Sequence, residues 1–212
     1  FWLKSSLSNS FRTWVGRYSL WVLHLEHLAM ASIAVLTILA MSVHALAYKC
    51  PGSGSSFGHA WCEVTVLASA SCADVLDEMK ARANGESGWI DPHNAGKYTV
   101  DNGETTDHEL HTQRTTNSKH SVGHKVYTDK QIFTLTPKGP SSCQIDGCSE
   151  SQGFSLADFS TNYCDMRNLY CGTAEGCKPI SKDFTSKETS VTPSAGAGHD
   201  PSACIVEKPT VI

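Results

Sequence analysis

The chain has 212 residues, with 17 Lys plus Arg against 21 Asp plus Glu for a net charge of −4, 40% hydrophobic and 18% charged residues, and nine cysteines. That length makes one ordinary domain or two small ones. The charge balance leaves no polybasic footprint for nucleic acid, and no glycine/proline period or heptad run marks a fibre or a coiled coil.

The first methionine is Met30, and an apolar stretch from Ile33 to Met41 leads to Ala45-Leu46-Ala47 and polar Tyr48-Lys49. This is the pattern of a signal peptide over residues 30–47, cut after Ala47. Its basic n-region is missing; Lys4, Arg12 and Arg17 lie further upstream. Residues 1–29 read as upstream sequence outside the natural protein, or as a targeting leader. An uncleaved anchor competes, because Ala29 to Ala47 is just long enough to cross a bilayer; Ser32, Thr37, Ser42 and His44 weaken it. The expected product is secreted, in the extracellular space or the secretory-pathway lumen, and meets a membrane only through its leader during export.

All nine cysteines follow the leader: Cys50, Cys62, Cys72, Cys143, Cys148, Cys164, Cys171, Cys177 and Cys204. A secretory context makes these a disulfide framework. Zinc would need close pairs such as C-x2-C, and the tightest spacing here is Cys143-x4-Cys148. Nine is odd, so one thiol is left over. Cys50 and Cys204, nearest the mature termini, are the suspects.

Trp61 to Ala68 alternates, with Cys62, Val64 and Val66 on one face, and predicts a strand. Cys72, Val75, Leu76, Met79 and Ala83 make one apolar helical stripe. Ser71 caps this helix, acidic residues open it, Lys80 and Arg82 close it, and Asn84-Gly85 stops it. A turn over Trp89 to Gly96 follows. Tyr98 to Val100 and Leu110 to Thr116 are strand candidates joined around Asn102-Gly103. Residues 117–124 are a polar loop, Lys125 to Thr136 is a long strand, and Pro137 to Pro140 is a turn. Cys143 to Ile145 and Gln152 to Phe159 are short return strands. Residues 48–177 then form a single cysteine-rich domain, and 178–212 a Ser/Thr/Pro/Gly-rich tail. The fold class is α+β, one amphipathic helix packed on an antiparallel sheet and held by disulfides. Cystatin-like and helix-grip folds share this outline, which licenses no function.

Four features bear on chemistry. His93, His108, His111, His120 and His124 concentrate in one third of the chain; His93, His108 and His111 are the metal candidates, although a strand puts His108 and His111 on opposite faces. Exposed histidines on polar loops are the plainer reading, and no metal or other cofactor is expected. Gly54-Ser55-Ser56-Phe57-Gly58 has the form of a nucleophile elbow but lacks the strand before it and the helix after it. The polar run Ser149, Glu150, Ser151 and Gln152, with Asp158, Ser160, Thr161, Asn162 and Tyr163, lies between Cys148 and Cys164. Rigid polar groups on a scaffold make binding sites, although such residues also satisfy turn backbones. The aromatics from Trp61 to Tyr170 are mostly core, with a few that could line an apolar cavity.

The resulting expectation is a secreted binding or interaction module whose contact surface runs from Ser149 to Tyr163. Its partner is a small molecule, lipid, glycan or protein, and not a nucleic acid. The alternatives are a secreted hydrolase using His93, Asp158 and a serine, and a structural cell-surface or matrix component built on the odd cysteine.

Overall fold

The computed structural model describes residues 50, 58–119, 124–155 and 157–205. The signal-peptide pattern, the Gly54–Gly58 motif apart from Gly58 itself, and His120 lie outside these residues.

The alternating run folds as expected into β1 (Trp61–Ala68), with Cys62, Val64, Val66 and Ala68 buried. The apolar stripe becomes α1 (Cys72–Ala83). Ser71 Oγ accepts the Asp74 N–H at its start, and Gly85 turns left-handed after Asn84 at its end (φ 67°). Then come β2 (Lys97–Val100), β3 (Glu109–Thr115), β4 (Thr128–Gly139) and β5 (Ser142–Ser151). Helix α2 (Thr161–Tyr170), strand β6 (Ser186–Pro193) and the one-turn α3 (Pro201–Cys204) complete the order. The six strands form one antiparallel sheet in the order β2-β3-β4-β5-β1-β6. The fold is α+β.

Several boundaries differ from expectation. Pro137 does not turn the chain; β4 continues to Gly139 as an exposed ribbon, with a register shift between Pro137 and Gly139. Strand β5 ends at Ser151, and no strand is formed by the described residues of 152–159. A second helix, α2, stands where no helix is expected. The segment read as a tail supplies β6, which pairs with β1 along its length and so joins the sheet.

The register arranges the helix-covered face in rows that run across the strands. One row is aliphatic: Leu135 and Ile145 lead to Val66. The next is Leu110, Phe133, Gly147 and Val64. Gly147 is needed there, because a Cβ would come within 3.0 Å of both Phe133 and Val64. Beyond it the rows turn polar: Thr112, Gln131, Ser149 and Cys62, then Tyr98, Arg114, Asp129 and Ser151. All of these residues are buried. Thus α1 covers an ordinary hydrophobic core, while α2 lies over a buried polar layer.

Four disulfides hold the framework: Cys50–Cys148, Cys72–Cys143, Cys164–Cys204 and Cys171–Cys177. The suspects for the odd thiol are therefore both bridged. The unpaired cysteine is Cys62, on a central strand and fully buried. No helix among the described residues is long and apolar enough to cross a membrane. Four bridges are the chemistry of an oxidising compartment.

Candidate functional site

The Ser149–Tyr163 segment is where structure and expectation part. Ser149, Glu150, Ser151, Asp158, Ser160, Asn162 and Tyr163 are all buried, and Gln152 and Thr161 are half-buried. They do meet one another, but inside the protein. Asn162 is the hub: its Oδ1 accepts from Ser149 Oγ at 2.8 Å, and its Nδ2 donates to Ser151 Oγ, Asp158 Oδ2 and the Ala60 carbonyl. Asp158 caps the start of α2 by accepting the Ser160 and Asn162 N–H groups. Ser160 Oγ takes the Asp200 N–H, and Tyr163 Oη donates to Glu188. The large hydrophobic side chains exposed in the same segment are two neighbours, Phe154 and Phe159, at 70% and 68%.

This network continues into a second that sequence reasoning did not find. Arg114 is fully buried. Its Nε reaches Asp91 Oδ2 at 2.7 Å, its Nη2 donates to the His93 carbonyl, and its Nη1 lies 3.0 Å from Asp165 Oδ1, an ion pair not aligned as a hydrogen bond. Asp129 accepts from Ser151 Oγ and shares a hydrogen bond with Asp165. Two carboxyls can share a bond only around a proton. Burial raises the pKa of both; Asp129 and Asp91 push Asp165 further up, against the pull of Arg114. Burial also opposes the Arg114 charge, and Asp165 and Asp91 more than reverse that. All of these groups are nearly or wholly out of solvent. They join β3, β4 and α2 and offer no opening to a substrate.

A hydrolytic constellation is not assembled among the described residues. Ser151 faces Asp129, and Ser160 faces the backbone of Asp200. The His93 ring bonds the Ala203 carbonyl at 2.9 Å through Nδ1. His108 pairs with Asp107 and His111 with Glu104 and Glu109, so the three metal candidates stand apart. His124 bonds the Ser118 carbonyl. Burial pushes the Cys62 thiol up to about 12, with Asp158 and Glu188 adding to it. A thiol so buried and so weakly acidic neither reacts nor bridges to a second chain, which removes the basis of the structural-component reading.

Among the arrangements that open to solvent is a cleft of about 490 Å³. It lies between the end of α1, the loop after it, α2 and the small Cys171–Cys177 ring. Its lining carries the apolar side chains of Trp89, Ile90, Pro92, Pro179, Ile180 and Ile205, along with polar Glu86, Ser87 and Lys178. Ile90 is 69% exposed and Ile205 is 41% exposed. Two buried polar side chains, Arg82 and Asn168, also line it.

Their partners are specific. Glu78 takes the Arg82 Nε at 2.7 Å, and also the N–H groups of Ile180, Ser181 and Lys182 at 2.7–2.8 Å. Burial works against the Glu78 charge, yet the Lys182, Ile180 and Ser181 amides and Arg82 hold its pKa at about 2. Arg82 Nη1 donates to the carbonyls of Asn168 and Cys171. Asn168 Nδ2 donates to Asp91 Oδ1 at 2.8 Å and to the Cys204 carbonyl. Two acceptors around Nδ2 fix which way the amide faces. What remains is one donor and one acceptor: Arg82 Nη2 and Asn168 Oδ1 are buried and lack a hydrogen-bond partner. Trp89 and the stop of α1 were legible in the sequence. Asn168 was not, because a polar residue at helical spacing reads as part of a solvated face.

No protein-family model, no curated protein and no solved structure matches this chain. The functional reading therefore rests on the geometry alone.

Proposed function

We propose that the protein is a secreted, disulfide-held binding module that takes a small ligand in the cleft between the Trp89–Pro92 loop and the Cys171–Cys177 ring. One observation carries the reading: an apolar cleft whose lining includes two buried polar side chains with unpaired hydrogen-bonding atoms. Buried polar groups are nearly always paired in folded proteins, and small-molecule sites combine apolar walls with a few convergent polar groups. The volume lies within the range of roughly 300–1,000 Å³ usual for such sites. The bridges support secretion, as does the Ala45-Leu46-Ala47 pattern.

The test is saturation-transfer NMR on the secreted protein, with one- and two-ring fragments carrying neutral, anionic or cationic heads. Wild type is compared with Ile90→Asp, which alters an exposed wall residue and leaves the core alone. Fragments that bind wild type and lose at least tenfold in affinity for Ile90→Asp support the reading. No binder among the fragments, or equal binding to both proteins, overturns it.

A further inference from the structure

We infer that the cleft selects a ligand with an uncharged polar head that both accepts and donates a hydrogen bond, such as a primary carboxamide, lactam or hydroxyl, on an apolar body. This rests on the cleft being the binding site and adds the chemical class of its ligand.

The head is specified by what the two side chains still lack. Arg82 Nη2 is a donor in want of an acceptor, and Asn168 Oδ1 is an acceptor in want of a donor. Both side chains are 1% exposed, so neither atom is readily satisfied by bulk water, and a head lacking either function leaves one of them orphaned. Such an orphan costs about 1–3 kcal/mol. Asn168 cannot adapt by turning its amide, since its nitrogen is held by Asp91 and Cys204.

Charge balance argues against an ionic head. Arg82 looks like an anion receptor, but its charge is already matched by Glu78 at 2.7 Å. A ligand carboxylate would sit near that carboxylate, and the two other charged residues of the lining, Glu86 and Lys178, offset each other, so the cleft carries no net charge for an ion to meet. A carboxylate would supply two acceptors and no donor for Asn168. A ligand ammonium would serve Asn168 but would leave Arg82 Nη2 facing a like charge. A neutral head that both donates and accepts leaves neither group unpaired. The body is specified by the apolar part of the lining, where Trp89, Ile90, Pro92, Pro179, Ile180 and Ile205 give a ring or branched alkyl group apolar surface.

The experiment uses three probes that share one body: 4-tert-butylbenzamide, 4-tert-butylbenzoate and 4-tert-butylbenzylammonium. Each is titrated into the secreted protein and followed by saturation transfer and by the backbone amide signals of Ile90 and Ile180. The amide is expected to bind at least tenfold more tightly than either ion, and to keep its affinity between 50 and 500 mM NaCl, where an ionic contact would weaken. A benzoate that binds as well as or better than the amide, or an amide affinity that falls with salt, overturns the neutral class while the cleft stands. If no probe binds or moves the cleft signals, the site reading fails and this inference fails with it.

Discussion

Replacing Arg114 with methionine tests the buried polar layer most directly. The change keeps most of the side-chain volume and removes the one cation facing Asp91, Asp129 and Asp165. Breaking a buried ion pair from one side costs about 3–5 kcal/mol, because the surviving charge is left in a dry site. At roughly 2–4 °C per kcal/mol for a protein of this size, the melting temperature should fall by about 6–20 °C at pH 7.5. The sign of the pH dependence is fixed by the same residues. In the wild type the folded pKa values of Asp165 and Asp129 are raised. Their contribution is therefore present below the unfolded carboxyl value, near pH 4, and is lost as pH rises through the folded values. Without Arg114 the carboxyls of Asp129 and Asp165 gain still more by protonation, so the deficit of the variant should shrink at pH 4.5 and grow at pH 8. Asp129→Asn is the companion: the amide oxygen still accepts from Ser151, and its N–H₂ supplies the proton that Asp165 shares. That variant should match or exceed wild type at pH 8 and flatten the pH slope. Thermal unfolding followed by near-UV circular dichroism at pH 4.5, 6 and 8 reads all three proteins. An Arg114→Met loss below about 1 kcal/mol, or one that does not change with pH, would refute the reasoning, since a buried cation among three carboxyls must matter more than that.

Other expectations follow from single residues. Glu78, held at about 2 against an ordinary 4.5, contributes stability that is present above pH 4.5 and is lost as pH falls through 2; the shift corresponds to about 3 kcal/mol. Urea unfolding at pH 2.5 and 5 should show that loss in wild type and a smaller one in Glu78→Gln. Gly96→Ala would place a methyl group on the Arg114 guanidinium and should cost about 3 kcal/mol by overpacking; an unchanged urea midpoint would contradict the close approach. Native protein should give no reaction with a thiol reagent at pH 8, and one thiol per chain, Cys62, in guanidinium. A disulfide-linked dimer in freshly secreted protein would overturn that burial.

How much of this could be read in the sequence depended on whether a buried face was apolar. Strand β1 and helix α1 carry Val64, Val66, Val75, Leu76 and Met79 at regular spacing, and both formed where the pattern placed them. Helix α2 buries Asn162 and Asp165 toward the sheet and Asn168 toward Asp91 and Cys204. They recur at helical spacing, but a polar stripe looks like a solvated one until its partners on β3, β4 and β5 are known. The polar run after Cys148 is plain in the sequence, and its burial could not be read locally, because Asp129, Gln131 and Arg114 come from distant strands. Strand β6 was hidden by its Ser/Thr/Lys composition, the ordinary dress of a half-exposed edge strand. Its anchor is Glu188, which accepts from Tyr163, Tyr170 and Arg167 of α2. The cleft was invisible for a similar reason, since its floor joins a residue of α1 to one of α2.

The disulfide connectivity has a topological consequence. Two bridges close the chain from Cys50 to Cys148, and two others close it from Cys164 to Cys204. No bridge crosses between these halves, so the peptide from 149 to 163 is the only covalent path from one to the other. A nick in the exposed turn around Asn102-Gly103 lies inside Cys50–Cys148 and Cys72–Cys143 and releases nothing. A nick beside Phe154 or Phe159, exposed aromatics of the kind an extracellular chymotrypsin-like protease accepts, divides the molecule into two chains held by contacts alone. The second chain carries α2 and β6. Its departure would leave the β1 edge unpaired and bring the sealed thiol of Cys62 into solvent. On a non-reducing gel the first nick leaves one band and the second gives two, so this short aromatic segment decides whether the protein can be taken apart without reductant.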